Sequence, residues 1–425
     1  MRVLFVLHNH PSISPGGTEA YALGVYNAFA RSHGVEPLLL ARADPGPTSE
    51  HAQTPFAATG DDPNQILAYL SDDDYDKFFI RLRDKVPFVR SFTELLRSQR
   101  PDVVHFQHVL FLGAELVSVV RQVLPEAAIV FTLHEYLPIC HHYGQLVRTD
   151  GSLCTHDSPR RCHECFPQHA PQEFFLRKRL LQSHFDNVDT FIAPSRFLLE
   201  QYVRWGIPRA RIQHEPHGFP ATPRVPDERR SRRNRFSFFG VLTPFKGIDV
   251  LLRAMARLGP AFDGQLQIHG AGYAEQPEEM RAEIARLLEE TRATVIDAGP
   301  YEHTQLPQLM ADTDWVLVPS VWWENSPLVI QEAFMHGRPV ICSGIGGMAE
   351  HVQDRVSGLH FAVGDDQSLA DVIWEAALRP DLWNQLQGGL PGVRTIEDHA
   401  GALGRIYAQA LERRRQPRRS GAMAT

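Results

Sequence analysis

Long apolar runs are missing from this 425-residue chain. Nowhere do about eighteen apolar residues follow one another, the length a helix needs to cross a bilayer, so no membrane span is expected. The opening MRVLFVLHNH carries only a short apolar run between Arg2 and His8. That is far less than a secretory h-region, and it predicts a first β-strand and a cytoplasmic protein. Cysteine is scarce, with five residues, and a chain of this length buries enough surface to fold without disulfides. An excess of positive charge is also lacking: 43 basic residues against 50 acidic ones leave a formal charge of −7. This excludes general nucleic-acid binding and leaves a small anion, bound locally, as the expected partner.

What is present is a recurrence of short apolar runs and helix-period segments. After VLFVL come the strand candidates VEPLLLA (35–41), DVVHFQ (102–107), AAIVFTLH (127–134) and DTFIAPS (189–195), with SFTELLRSQ and AELVSVVRQVL helical in period between them. The alternation predicts β/α units and a mainly parallel sheet. A second series follows from RFSFFG: VLLRAMARL, QLQIHGAG, EEMRAEIARLLEE, TVIDAGP, LPQLMADTD, WVLVPS, PVICS and SLADVIWEAAL. Between the two series lies a proline-rich and then basic stretch read as a linker. The expected divisions are 1–218 for the first domain, with a Cys-rich insertion at 138–168, then a linker at 219–235 and a second domain at 236–388. A terminal helical region at 389–413 and a disordered tail at 414–425 complete the chain.

The most telling stretch is SVWWENSPLVIQEAFMHGRPVI, where Glu324 and Glu332 stand eight residues apart. The run WVLVPS suits a buried parallel strand. Asn325, Ser326, Pro327 and Leu328 then read as a helix start, with Ser326 as cap and Pro327 in the first helical position, and Gly337 as the stop. Such a helix end points free N–H groups beyond the strand tips and suits a diphosphate. Two carboxylates beside it repel phosphate but accept hydrogen bonds from sugar hydroxyls. At the first strand, Gly16 and Gly17 stand where a loop turns into a helix and let backbone approach a ligand.

The E-x7-E pair, the following HGRPVI, the SGIGGMAE segment with Gly346 and Gly347, and SGLHFAVGD resemble a large family of retaining glycosyltransferases. Its members make sucrose, bacterial mannosides and surface polysaccharides. The likeness extends to PGGTEAYALGV, TLHEY and FFGVLTPFKGIDVLL, and so covers nearly the whole chain. It implies an α/β chain of GT-B type, with two facing Rossmann-like domains and a nucleotide-sugar cleft between them. It also implies transfer of a hexose from a UDP- or GDP-linked donor to a glycan or lipid-linked acceptor, in surface polysaccharide or glycoconjugate synthesis, without a catalytic cofactor. The helix GALGRIYAQALERR resembles the family's last helix, which packs back on the first domain.

The resemblance carries over to particular residues. Lys246 in TPFKG matches a lysine that neutralises the diphosphate; the arginine that many members place after the strand glycine is replaced here by Val241 after Gly240. His134 matches a histidine near the reacting carbon, with His105 a second and His108 a lesser neighbour. Glu324 becomes a contact of the donor sugar or phosphate region and Glu332 the ribose binder. Gly16, Gly17, Asn325, Ser326, Pro327, Leu328, Gly346 and Gly347 line the donor, the last two as a turn, while His303 reads as a surface residue. Family members are explained by front-side attack in which the leaving phosphate helps deprotonate the acceptor. A double displacement would instead need a carboxylate at the anomeric carbon, Glu135 or Glu324.

Two features fall outside that pattern. Cys140, Cys154, Cys162 and Cys165 crowd into one segment and end in C-x2-C, a spacing that suits structural Zn²⁺. His141, His142, His156 and His163 are substitute ligands, and an iron–sulfur cluster or free thiols are the alternatives. Cys342 reads as a buried strand residue. PQEFFLRKRLLQSHF interleaves Phe174, Phe175, Leu180, Leu181 and Phe185 with Arg177, Lys178 and Arg179, a pattern that fits either a rim on anionic lipid or a helix packed on its own domain. At the level of function, a nucleotide-sugar epimerase lacks the match around Glu324. A phosphorylase needs a pyridoxal-phosphate lysine environment that is not found. A catalytically inactive nucleotide-sugar-binding or scaffolding protein stays as the alternative to an enzyme.

Overall fold

The computed structural model describes residues 1–14, 16–44, 54–59, 62–225 and 231–415. The chain divides into two compact units, one made of Met1–Pro220 and the segment from Arg394 onward, the other of Ala221–Val393.

The first unit is built on β1 (Arg2–Leu7), β2 (Glu36–Ala43), β3 (Phe56–Thr59), β4 (Asp62–Tyr69), β7 (Val103–Phe106), β8 (Ala128–Thr132), β9 (Thr190–Ala193) and β10 (Ile212–His214). The short pair β5 (Tyr75–Asp76) and β6 (Arg81–Leu82) stands apart as a two-stranded ribbon. The main sheet runs β10-β9-β8-β7-β1-β2-β4-β3 and is parallel except at β3–β4. Val3 through Leu7 are fully buried, the signature of a strand covered on both faces. The covering helices are α1 (Gly17–Arg31), α2 (Val86–Gln99), α3 (Glu115–Val123), α4 (Pro159–Cys165), α5 (Pro171–Phe185) and α6 (Arg196–Trp205). Strands β3, β4 and β10 had no counterpart among the sequence expectations. β4 lies near the sheet edge with all but one of its positions exposed or half-buried, so it lacks the apolar run that marks a central strand.

The second unit repeats the plan with β11 (Arg235–Phe239), α7 (Ile248–Leu258), β12 (Gln265–His269), α8 (Glu278–Thr291), β13 (Val295–Gly299), α9 (Leu306–Asp312), β14 (Trp315–Val318), α10 (Leu328–Met335), β15 (Val340–Ser343), α11 (Gly346–His351), β16 (Gly358–Phe361), α12 (Asp366–Leu378) and α13 (Pro380–Gly388). Its sheet is wholly parallel in the order β13-β12-β11-β14-β15-β16. Counted from its first strand, that order is 3-2-1-4-5-6, the doubly wound Rossmann arrangement.

The last helix, α14 (Ile396–Arg415), returns to the first unit. Its Ile396, Ala400, Leu403, Ile406, Tyr407 and Ala410 share a core with Tyr21, Val25, Tyr26 and Phe29 of α1. That spacing is one stripe of a helix, and each fully buried large apolar side chain in it contributes about 1.5–3 kcal/mol. The helix runs two residues into the stretch expected to be disordered, and Arg414 Nε donates to Pro125 O at 2.8 Å; the rest of that stretch lies outside the described residues. No helix among the described residues is long and apolar enough to cross a membrane.

α5 departs from the expected basic band. Arg177 is buried and donates to Phe78 O, Pro138 O and Leu137 O at 2.7, 2.6 and 2.5 Å, and Lys178 pairs with Asp157 at 3.0 Å. The face carrying Phe174, Leu181 and Phe185 is core, while Phe175 and Leu176 remain exposed. The three carbonyls satisfy N–H groups of Arg177 and offset part of the cost of burying the charge, while burial still holds its pKa below the ordinary value.

Candidate active site

In a parallel sheet the loops after the strands emerge at one edge, and ligands gather where neighbouring strands lead in opposite directions. In the second unit that point lies between β11 and β14. The loop after β11 carries Lys246 on a short 3-10 turn, and the loop after β14 carries Ser320 and Glu324. The two loops are tied by Val321 N donating to Phe245 O at 2.9 Å. Gly247, at φ 70°, brings its backbone so close that a Cβ there would sit 2.0 Å from Pro319 O. The result is an ion pair across the switch point: Lys246 Nζ donates to Glu324 Oε1 at 2.5 Å, and Ser320 Oγ donates to the same oxygen at 2.8 Å. Glu324 is buried and Lys246 half-exposed, with the ammonium 5.8 Å from the Trp322 ring.

The loop after β15 closes on this pair. Gly347 N donates to Glu324 O at 2.8 Å, and a Cβ on Gly347 would lie 1.7 Å from Asn325 O. Gly346 and Gly347 open α11 instead of forming the expected turn. α10 also begins a residue later than expected. Pro327 takes a non-helical ψ of 120° and is the cap position, with no capping hydrogen bond from a side chain, so Ser326 is not the cap. Gly337, at φ 74° just beyond the helix, ends it as expected.

Glu332 lies on α10, and its Oε1 is 3.1 Å from Nε2 of His303, which follows β13. That hydrogen bond, despite burial that works against it, raises the His303 pKa above its ordinary 6.5. His303 is exposed, as expected of a surface residue, and its ring reaches the Glu332 carboxylate. Tyr301 stands close by, its phenol pushed up to about 12 by burial and by Glu332.

The first unit has its switch point between β1 and β7, and two imidazoles meet there: the His8 and His108 rings are 4.3 Å apart. Each is held by a carboxylate, His8 Nε2 by Glu19 Oε1 at 2.9 Å and His108 Nε2 by Glu135 Oε1 at 3.1 Å. Burial above all, with the nearby His108, lowers His8 to about 4, so it is neutral near pH 7. Burial pushes the Glu19 carboxyl up, but the hydrogen bond and charge of His8 outweigh it and leave Glu19 below its usual value. Glu19 also crowds the start of α1: a Cβ on Gly16 would lie 2.4 Å from Glu19 Oε2. Gly16 and Gly17 thus form a close backbone turn at the helix start, shared with an acidic side chain.

His134 lies two residues beyond β8, and its Nε2–H donates to Gln107 Oε1 at 3.0 Å. Its ring packs near Tyr21 and His217, each 5.3 Å between centroids. Burial, then the neighbouring His108, His8 and His105, holds its pKa well below 6.5. His105 is a correction. It is fully buried within β7, with Nδ1 2.7 Å from Tyr407 Oη and Nε2 2.7 Å from Thr132 Oγ1. It is a core hydrogen-bonding residue, and His108 takes the strand-tip place expected of it. Glu135 stays at that edge, with a second oxygen accepting from Leu137 N.

Reasoning from sequence missed His8, Glu19, Gln107, His217 and Ser320. His8, Gln107, His217 and Ser320 follow the carboxyl ends of strands, which is the signal that could have found them, while Glu19 lies in the first turn of α1. Cys140, Cys154, Cys162 and Cys165 come together around one small cavity in the first unit, none in a disulfide.

Comparison with known proteins now decides the family. A family model described as Glycosyltransferase Family 4 matches residues 15–222, and one described as Glycosyl transferases group 1 matches residues 233–377. The chain belongs to glycosyltransferase family 4. Among related family members, the lipopolysaccharide 1,2-N-acetylglucosaminetransferase of Salmonella typhimurium is 28% identical over 202 residues, 44% of this chain and 53% of that protein. A D-inositol 3-phosphate glycosyltransferase of Xylanimonas cellulosilytica is 30% identical over 249 residues, 53% of this chain and 58% of its own length. The match thus spans little more than half of either relative. The crystal structure of Anabaena Alr3699/HepE in complex with UDP has TM-score 0.66 at 18% identity, covering 96% of this chain and 100% of that one. The sucrose-phosphate synthase of Thermosynechococcus elongatus has TM-score 0.66 at 19% identity, covering 97% and 100%. At these identities the likeness establishes the GT-B fold.

Proposed function

We propose that this family 4 chain transfers a hexose, with retention, from a UDP- or GDP-linked donor to a glycan or lipid-linked acceptor. The observation that carries the reading is the Lys246–Glu324 pair at the switch point of a Rossmann sheet, with Glu332 on the helix that follows. Transfer builds charge on the departing diphosphate, and a fixed cation beside it lowers the barrier without a metal. Lys246 is that cation, and Glu324 with Ser320 holds it in place. With its carboxylate shared by two donors, Glu324 is better placed to orient Lys246 and a sugar hydroxyl than to attack carbon. Glu332 binds the ribose and, together with Leu328 at the start of α10 and the backbone of Gly346 and Gly347, closes around the nucleotide. His134, kept neutral, supplies a hydrogen bond near the transferred sugar, and His108 with Glu135 forms the acceptor edge in place of His105.

Related structures support the donor class: Alr3699/HepE has been crystallised with UDP and with UDP-glucose, and a starch synthase domain of Arabidopsis thaliana with ADP and acarbose. The lipopolysaccharide relative supports a surface-glycan acceptor. Exposed Phe175 and Leu176 on α5, next to Arg179, are the part of the expected lipid-facing rim that stays at the surface. Thermal-shift titration with UDP-, GDP- and ADP-sugars tests the reading. One nucleotide should raise the melting temperature well above the others, and indifference to all three would defeat it. Measured release of nucleotide with an acceptor then separates an enzyme from an inactive binding protein.

A further inference from the structure

We propose that Cys140, Cys154, Cys162 and Cys165 bind one Zn²⁺ as a tetrathiolate that cross-links the loop following the His134–Glu135 segment. All four side chains line a single cavity of about 30 Å³, room for one ion or one water but not for an organic ligand. The other walls are His141, His142, Val147, Phe166 and Phe174 with the cations Arg148 and Arg161, and His142 Nδ1 already lies 2.7 Å from Val147 O. Two guanidinium groups beside the cavity suit a centre whose net charge, four thiolates on a dication, is about −2, and the two imidazoles are placed to hydrogen-bond its sulfurs.

The local chain needs such a cross-link. Cys140 ends a turn whose amide donates to Tyr136 O at 2.8 Å, and Cys154 follows a hairpin closed by Arg148 N to Ser152 O at 2.8 Å and by the Val147–Leu153 bridge. Cys162 and Cys165 sit one turn apart on α4, a helix of seven residues none of which is buried. The loop also holds two non-glycine residues in the left-handed region, Tyr143 at φ 49° and Leu146 at φ 51°, a conformation that costs energy. Ile139, Leu146 and Val147 bury the loop that carries Cys140, but α4 has no buried residue to hold Cys162 and Cys165 against it. A metal bond supplies what packing does not.

Among the described residues no three potential ligands already surround a common point, so the thiols must turn about χ1 to converge. As the ion enters, four Sγ–H bonds break and four Sγ–Zn bonds form. The protons leave to solvent and zinc keeps its oxidation state. The ligated loop then fixes the segment that Arg177 clamps at Leu137 and Pro138, immediately after Glu135.

Elemental analysis of the full chain, purified under reducing conditions without added metal, should find about one zinc per chain. Thiol titration of the native protein should show the four cluster cysteines react only after a strong chelator is added. Cys162→Ser with Cys165→Ser should bring zinc to background, and Cys342→Ser should leave it unchanged. Zinc below about 0.1 per chain, iron with acid-labile sulfide in its place, or zinc retained in the double variant would each overturn the proposal. If the double variant does not fold, the wild-type metal content and the chelator-dependent thiol count still decide. Neither readout depends on sugar transfer, so a failed donor assignment and a failed metal site are told apart.

Discussion

Lys246 Nζ donates to Glu324 Oε1 at 2.5 Å, joining two residues seventy-eight positions apart across the point where the second sheet reverses its winding. Because Lys246 is half-exposed, the pair adds less than about 1 kcal/mol to stability, and its value is the fixed placement of a cation. Lys246→Ala should lower kcat/KM by about 10²–10³, with a stability loss of about 1–3 kcal/mol because the buried Glu324 carboxylate then loses its cation and keeps Ser320. Nucleotide-release kinetics and a melting curve on the same preparation check this. Unchanged kcat/KM would remove Lys246 from the mechanism.

Gly347 has no room for a side chain. A Cβ there would meet Asn325 O at 1.7 Å, and relieving the clash breaks the Gly347 N–Glu324 O hydrogen bond that positions Glu324. Gly347→Ala should cost about 1–3 kcal/mol and weaken nucleotide binding along with stability. Isothermal titration against UDP and GDP, with denaturant unfolding, would show both losses. A variant that binds normally would mean that the loop after β15 does not set the site.

The His303–Glu332 pair makes nucleotide binding depend on pH. The His303 pKa is raised by Glu332, so the interaction is fully present below the ordinary 6.5 and is lost as pH rises through the higher folded value. Protonated His303 would compete with ribose for the Glu332 carboxylate under the proposed function. Nucleotide affinity should accordingly strengthen as pH rises through that value, and His303→Ala should flatten the profile. A wild-type profile identical to that of His303→Ala would contradict the competition.

The imidazoles of the first unit should make it sensitive to acid. His8 is lowered to about 4 and His105 to about 3, both mainly by burial. For a histidine whose folded pKa is depressed, the unfolded chain takes up a proton below about 6.5 that the folded chain refuses. This stability is complete above that pH and is lost as pH falls toward 4 and 3. The loss approaches about 1.4 kcal/mol per pH unit for each residue. Urea unfolding between pH 7 and 4 should be steeper in wild type than in His105→Gln; equal slopes would show that His105 titrates normally in the fold.

The sequence by itself determined the repeated β/α units, because a strand buried on both faces and a helix with one apolar stripe each leave a local period. It also singled out Glu324, Glu332 and the glycines around them, because close backbone approach and a helix start restrict residue type at fixed spacing, whereas Lys246 stood out only through the resemblance carried by TPFKG. Only the tertiary structure decided which partners meet. His105 and His108 lie three residues apart, yet one faces Tyr407 from the end of the chain and the other faces His8 and Glu135 at the sheet edge. His303 reaches Glu332 only once β13 and β14 flank β12 and β11 in the sheet. Side-chain direction on a strand alternates locally, but what stands opposite is set by strand order and by helices distant in sequence, and those depend on the packing of the whole unit.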